Sequence, residues 1–313
     1  MPTLSVVVPA YNEEEGIQEF LAELRNCLKF IEYRLEVVVV NDGSTDRTCE
    51  RVLEFNWDAV TVVNLITNSG HMSAIEAGLR NSSGDLIVTM DSDLQHPPQT
   101  ILEMLDIQRK TSCDVVLAIR NRGPETSAIR RFFSRTFYRV LSIVTDIRFE
   151  NDAGDFRLMS KRVVGIILDL PENQKIFRFL VGALGFRAEK VFFNSPHREY
   201  GKSKYQWKNL MKLGISSLIG FSTAPLTAIF VGGIVTFTLG LLYLAYVLYN
   251  YSNSSDAQGW TSLMAIIISF SSVQIIAIGV IGRYMSQILT EIRKRPAFII
   301  DNLQSTKKSI VNE

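Results

Sequence analysis

Residues 91–93 read Asp-Ser-Asp, and this pair of carboxylates two positions apart is the natural place to look for chemistry. The pair follows Leu86 to Met90, a short apolar run of the kind that forms a buried strand, and precedes Pro97-Pro98, which block any regular continuation. Two carboxylates past the carboxyl end of a strand are costly unless something positive sits between them. A hard divalent cation answers that need, because such ions are held through one or two carboxylates together with phosphate oxygens of a substrate. A solvated acidic turn would have the same local sequence, so the rest of the chain has to decide.

The surrounding elements alternate between strand and helix. Leu4 to Val8 is a strand that stops at Pro9, and Ala10-Tyr11-Asn12-Glu13 feeds a helix with Ile17, Phe20, Leu21, Leu24 and Leu28 on one face. Leu35 to Val40 is almost wholly apolar, as in a parallel sheet covered on both faces. It ends in Asn41-Asp42-Gly43-Ser44-Thr45-Asp46, where Ser44, Thr45 or Asp46 is placed to cap a helix. Val60 to Leu65 is a third strand, followed by Asn68-Ser69-Gly70-His71 and a helix through Ala74, Ala77 and Leu79; strand 86–90 is the fourth. Val115 to Ile119 is a fifth and delivers Arg120 and Arg122. This alternation predicts a doubly wound α/β sheet, whose ligands bind beyond the carboxyl ends of its strands. Pro9–Glu13, Asn41–Asp46 and Asp91–Gln95 all fall there. Neither a G-x-G-x-x-G nor a Walker A sequence is present, which argues against a dinucleotide oxidoreductase and a P-loop NTPase. A nucleotide-type pocket with carboxylates and a metal remains.

At 313 residues the chain holds one large α/β domain and something smaller. Lys and Arg number 33 against 32 Asp and Glu, so no field suited to nucleic acid is implied. The apolar residues are unevenly spread. Leu213 to Ser255 contains no charged side chain, and none follows Asp256 until Arg283. Two stretches, about 226–249 and 260–282, are long enough to span a bilayer at ~20 residues per span. Cys27, Cys49 and Cys113 are scattered and lack metal spacing, as expected of reduced thiols on a cytosolic side. The acidic N-terminus has no basic leader and is not expected to be a signal peptide.

Between the fifth strand and the first span, the sequence turns basic and amphipathic. A helix is predicted over about 127–147, interleaving Phe132, Phe133, Phe137 and Val140 with Arg130, Arg131, Arg135 and Arg139, as suits a membrane surface or an anionic ligand. Asp152 to Leu158 places two acids and Arg157 in a tight segment containing Gly154. The basic loop 197–205 leads into an amphipathic helix, 203–222, with Trp207, Lys208 and Lys212. Lysines 202, 204, 208 and 212 precede the first span, and Arg283, Arg293, Lys294 and Arg295 follow the second. The positive-inside rule then puts both flanks in the cytoplasm and loop 250–259 outside. The Lys307-Lys308 tail is expected to be mobile.

The motifs PAYNE (9–13), NDGSTD (41–46), GHMSAIEAGL (70–79), MDSDLQHPP (90–98), DAGDFRLMS (152–160) and REYGKSKY (198–205) occur in that order. Together they resemble the family 2 glycosyltransferases, and among them the polyisoprenyl-phosphate glycosyltransferases, which include bactoprenol glucosyltransferases and dolichol-phosphate mannose synthases. The resemblance covers roughly residues 1–295, and the two-span hairpin resembles the bactoprenol type. Processive polysaccharide synthases share the early motifs but end in Gln-x-x-Arg-Trp, which is absent here.

The resemblance implies a GT-A, Rossmann-like catalytic domain over 1–200, an interfacial helix over 201–222, two transmembrane helices within 223–283, and a cytoplasmic C-terminal helix and tail over 284–313. It implies that Pro9, Tyr11, Glu13 and Asp42 hold the nucleoside of a sugar nucleotide. Asp91 and Asp93, with Gln95, would bind Mg²⁺ or Mn²⁺ on its diphosphate. Arg120, Arg130, Ser134 and Arg198 would bind the lipid phosphate, with Arg122 or Arg131 able to replace Arg120 or Arg130; Asp155 is assigned to the active site, orienting the acceptor or sugar or serving as a weak base, with Arg157 holding it. The expected protein is an inverting enzyme of a bacterial plasma membrane. It would move a hexose, glucose by likeness, from UDP-glucose to undecaprenyl or another polyprenyl phosphate. GDP-mannose or a UDP-N-acetylhexosamine as donor, a non-catalytic sugar-nucleotide-binding scaffold, and homo-oligomerisation through Gly232, Gly233 and Gly240 stay open.

Overall fold

The computed structural model describes residues 1–121, 153–172, 175, 177–194, 224–251 and 260–305. Arg122, Arg130, Arg131, Ser134 and Arg198, the basic helix 127–147, the amphipathic segment 201–222, loop 252–259 and the tail beyond 305 lie outside the described residues.

One eight-stranded sheet organises the larger part of the chain. Its strands are β1 (Thr3–Ala10), β2 (Arg34–Asn41), β3 (Val60–Leu65), β4 (Leu86–Thr89), β5 (Val115–Arg120), β6 (Ala153–Ser160), β7 (Ala188–Phe193) and β8 (Ile300–Ser305), in the spatial order β7-β5-β6-β4-β1-β2-β3-β8. Strands β1–β5 and β7 run in one direction, and β6 and β8 run against them. The helices are α1 (Ile17–Cys27), α2 (Thr48–Glu54), α3 (His71–Arg80), α4 (Gln99–Thr111), α5 (Lys161–Asp169) and α6 (Phe177–Ala183).

The continuous apolar runs become central strands because both faces of the sheet are covered. On one face Leu4, Val6 and Val8 of β1 share a core with Ile17, Phe20, Leu21 and Leu24 of α1 and with Ile101, Met104 and Leu105 of α4. Each of these side chains gains about 1.5–3 kcal/mol from burial. On the other face α3 seats through Gly78, where a Cβ would fall 2.3 Å from a methyl of Val7 and 2.9 Å from one of Val40. A side chain there would lift the helix whose first residue is His71.

Two features go beyond the sequence reading. Residues 153–160 form β6, inserted antiparallel between β4 and β5. Ile300–Ser305, placed by sequence in a C-terminal tail, is an edge strand of the same sheet, antiparallel to β3.

A separate helical unit lies between the two parts of the sheet domain in sequence. Its helices α7 (Ala224–Tyr251) and α8 (Trp260–Arg293) are 28 and 34 residues long, or about 42 and 51 Å at ~1.5 Å per residue. Both contain stretches apolar and long enough to cross a membrane. Phe230, Phe237, Leu242, Ile275 and Ile276 are all exposed, an arrangement suited to lipid rather than water. The hydroxyls of Thr236 and Thr238 donate to the carbonyls of Gly232 and Ile234, one turn earlier, which satisfies them without solvent. Helix α8 runs unbroken past Arg283 to Arg293, so the charged segment after the second apolar stretch continues the same helix.

Candidate active site

The carboxyl ends of β1, β2, β3, β4 and β5 share one rim of the sheet, and the antiparallel β6 brings its beginning to that rim. Thr89 pairs with Arg157, and towards the same rim Asp91 stands two residues after Thr89, just past the end of β4, and Asp155 two residues before Arg157 in β6. Strand direction thus explains how acids 64 residues apart in sequence become neighbours.

Loops 10–16 and 42–48 are stitched into one surface. Asp42 N–H donates to the Ala10 carbonyl, Asn12 N–H to Ser44 Oγ, Glu13 N–H to Thr48 Oγ1 and Glu14 N–H to Asp46. In return the Thr45 N–H donates to Asn12 Oδ1 and the Arg47 N–H to Glu14 Oε2. Of the three candidate caps, Asp46 accepts from the Thr48 N–H at the start of α2. Tyr11 and Glu13 are half-buried on this surface, and the Pro9 carbonyl accepts from the Ser92 hydroxyl, tying it to the Asp91–Asp93 loop.

Asp42 is 3% exposed and accepts from the N–H groups of Ser69 and Gly70 at 2.7 and 3.0 Å. Burial pushes its carboxyl above the usual range, while those two N–H groups and nearby His71 pull the other way. The loop after β3 is thereby locked onto the loop after β2. Gly43 permits the contact: its φ is +64°, and a Cβ would lie 2.6 Å from backbone atoms of Thr67 and Asn68.

Around residues 91–96 the backbone is tightly specified. Leu94 has φ +59°, the left-handed region that a bulky residue occupies only when its surroundings demand it. The Gln95 N–H donates to Asp93 Oδ1, and Gln95 Oε1 accepts from Arg120 Nη1 at 3.2 Å, so the sequence-predicted Arg120 stands beside this loop. His96 Nδ1 accepts from the Asp91 N–H at 3.0 Å, and its ring stacks on Phe156 with centroids 4.8 Å apart.

Asp155 is 8% exposed and Arg157 1%. Arg157 Nη2 donates to Asp155 Oδ1 at 3.1 Å and to the Gly154 carbonyl at 2.6 Å. A buried carboxylate needs such a partner to stay ionised. The other Asp155 oxygen lies 3.5 Å from His71 Nε2, which is also 3.5 Å from Asp91 Oδ1. His71 and His96 were not singled out by sequence; the available signal was Gly70-His71 following a strand that ends at this rim.

Among the described residues no three His, Cys, Asp or Glu side chains gather into a metal-holding cluster. Asp91 is partly exposed and has imidazoles at 3.5 and 3.7 Å as its ionic neighbours. The carboxylates of Asp91 and Asp93 are the oxygen donors of this loop, the kind that a hard cation takes together with a ligand's phosphate oxygens. A cavity of about 600 Å³ lined by Arg25, Tyr33, Phe55 and Trp57 lies near the start of β2, at the opposite rim, and includes none of these acids.

The sequence profile described as Glycosyl transferase family 2 matches residues 5–166. The chain belongs to that family. It is a glycosyltransferase, 36% identical over 299 residues to YkcC, an uncharacterised glycosyltransferase of Bacillus subtilis, covering 95% of this chain and 92% of that one. It is 32% identical over 302 residues to the bactoprenol glucosyl transferase of Shigella phage SfV, covering 96% of this chain and 98% of that one. Glucosyl-3-phosphoglycerate synthase from Mycobacterium tuberculosis, solved with Mn²⁺, UDP and glucosyl-3-phosphoglycerate, matches the fold with a TM-score of 0.50, 20% identity and coverage of 71% of this chain and 80% of that one. The GT-A, Rossmann-like architecture expected from the motifs is the one found.

Proposed function

We propose that the protein transfers a hexose, glucose from UDP-glucose, to undecaprenyl or a similar polyprenyl phosphate at the cytoplasmic face of a bacterial plasma membrane. The observation that carries this reading is the near full-length match to a bactoprenol glucosyl transferase, which includes the apolar helices as well as the sheet domain.

Pro9, Tyr11, Glu13 and Asp42 form the nucleoside subsite on the stitched surface of loops 10–16 and 42–48. Asp91 and Asp93, with Gln95, would hold Mg²⁺ or Mn²⁺. When bound, the ion supplies charge stabilisation to the departing nucleoside diphosphate. The acceptor is a phosphate monoester with a second pKa near ~6, already ionised at neutral pH, so no strong general base is needed. Arg120, next to Gln95, aligns that phosphate together with Arg130, Ser134 and Arg198. Asp155, fixed by Arg157, orients the sugar or acceptor for an in-line displacement that inverts the anomeric centre.

Membrane placement is supported by the return of the chain to its own sheet. Strand β8 follows α8 and pairs with β3, which fits helices that cross the bilayer an even number of times. Two crossings with basic flanks give a cytoplasmic catalytic domain.

Purified protein in detergent with Mn²⁺ or Mg²⁺, undecaprenyl phosphate and a panel of sugar nucleotides tests the reaction. Mass spectrometry should show a lipid-linked hexose phosphate from UDP-glucose that is lost with EDTA. Product from GDP-mannose or a UDP-N-acetylhexosamine instead would reassign the donor, and nucleotide release without glycolipid would reject the acceptor.

A further inference from the structure

Three asparagines on adjacent strands stand in register. Asn41 ends β2 and pairs with Asn64 of β3, which pairs with Asn302 of β8. Their amides form a ladder with one polarity: Asn41 Nδ2 donates to Asn64 Oδ1 at 2.9 Å, and Asn64 Nδ2 donates to Asn302 Oδ1 at 2.7 Å. Asn302 Nδ2 in turn donates to Asp301.

The inner end of the ladder reaches the loops assigned to the nucleotide. Asn41 Oδ1 accepts from the Ser44 N–H at 3.0 Å. Ser44 Oγ accepts from the Asn12 N–H, and Asn12 Oδ1 accepts from the Thr45 N–H. Asn12 has φ +55°, a left-handed conformation that asparagine adopts with local hydrogen bonding, and it lies between Tyr11 and Glu13. Asn41 and Asn64 are each 8% exposed, so their amides depend on protein partners rather than water. Further contacts hold β8 in place: the Ile66 N–H donates to the Ile299 carbonyl, and Cys49 Sγ, in α2, donates to Gln304 Oε1.

We propose that Asn302 is a positioning residue for the nucleotide-sugar subsite, and that β8 completes this subsite from the edge of the sheet. The segment that emerges from the second apolar helix thus sets the geometry of loops 10–16 and 41–48, so full donor affinity is reached only when the chain beyond that helix has returned to the sheet. This rests on the assignment of those loops to the nucleoside of the donor.

The test compares the full-length protein in detergent with its Asn302→Ala variant and, as a control on the same strand, Leu303→Ala. Binding of UDP, thermal unfolding, hydrogen exchange of peptides covering 41–48, and KM and kcat for UDP-glucose are measured. Asn302→Ala should weaken UDP binding and raise KM about tenfold, with kcat within about twofold. Exchange at 41–48 should rise, Leu303→Ala should behave as wild type, and Ser44→Ala added to Asn302→Ala should cost less than the sum of the two. Wild-type protein that binds no UDP overturns the donor reading and this inference with it. Wild-type binding that Asn302→Ala matches overturns the inference alone. Equal losses in binding, kcat and thermal stability for both β8 variants would also overturn it, reducing β8 to a structural strand.

Discussion

His71 Nε2 lies 3.5 Å from Asp155 Oδ2 and 3.5 Å from Asp91 Oδ1, so one imidazole at the start of α3 spans an acid of β6 and an acid of the loop after the antiparallel β4. Asp155 is fixed on its other oxygen by Arg157, whereas Asp91, among the described residues, has imidazoles as its neighbours in ionic range. Removing His71 therefore loosens the relation between the two acids without opening the core, since its side chain is 41% exposed. His71→Ala is expected to lower kcat/KM by about 10- to 100-fold, the usual cost of losing a group that orients a ligand or catalytic carboxylate. The melting temperature should stay close to wild type. Steady-state kinetics beside a thermal melt would check this, and unchanged turnover would reduce His71 to a surface residue.

Gly43 offers a sharper structural probe. Its positive φ and the 2.6 Å approach to the backbone at Thr67 and Asn68 leave no room for a methyl group. Gly43→Ala should cost about 1–3 kcal/mol through strain and part the loops that Asp42 holds together. UDP binding should fall with it. A variant with wild-type affinity and stability would mean that the loops separate at no cost.

Asp42 gives a pH dependence with a definite sign. Burial raises its folded-state pKa above the ordinary carboxylate value. Its contribution to stability is thus full below ~3.9 and is lost as pH rises through the folded value. Asp42→Asn does not titrate, and its lost hydrogen bond is a constant offset. The melting difference between wild type and Asp42→Asn should therefore shift in favour of the variant as pH rises above the ordinary carboxylate value of ~3.9 and through the raised folded value. A difference independent of pH would show that this carboxyl titrates as it does in the unfolded chain.

The pattern of what sequence revealed follows from how local each signal is. Strands β1 to β5 announce themselves because burial on both faces demands unbroken apolar runs such as Val37–Val40. Once direction was known, Asp42 and Asp91 had to fall at the ligand-binding rim. Strand β6 was hidden because AGDFRLMS carries Gly154, Asp155 and Arg157; it is a strand because β4 and β5 flank it and its two charges neutralise each other. Strand β8, IDNLQS, has no apolar periodicity at all. Its pairing is decided by β3 and by the asparagine ladder, a tertiary effect that propensity does not encode. His71 and His96 were not named as site residues for a similar reason: each lies beside an acid brought near by the fold, and beyond the placement of Gly70-His71 after a rim-ending strand, nothing in the local spacing names a partner.

The paired carboxylates lead to a metal-dependence test with two readouts. Asp93→Ala should abolish transfer while leaving membrane insertion intact, since α7 and α8 are distant in sequence from this loop. It should also weaken Mn²⁺-dependent UDP binding, which calorimetry measures without turnover. EDTA should reproduce both losses in the wild type and add nothing to the variant. Near-normal turnover by Asp93→Ala, or activity that survives chelation, would remove the metal reading.

Chain threading supplies the final prediction. If α7 and α8 cross a bilayer as proposed, β8, which shares a sheet with β3, lies on the same side as the rest of the sheet. With two crossings, loop 252–259 lies on the other side. Single cysteines at Asn253 and at Ser305, each in a background with Cys27, Cys49 and Cys113 replaced by serine, make this measurable in sealed vesicles. An impermeant maleimide added outside right-side-out vesicles should label Asn253→Cys and leave Ser305→Cys unlabelled until detergent is added. Inverted vesicles should give the opposite result. Labelling of both from one side would mean that α7 and α8 lie along the membrane surface instead of crossing it.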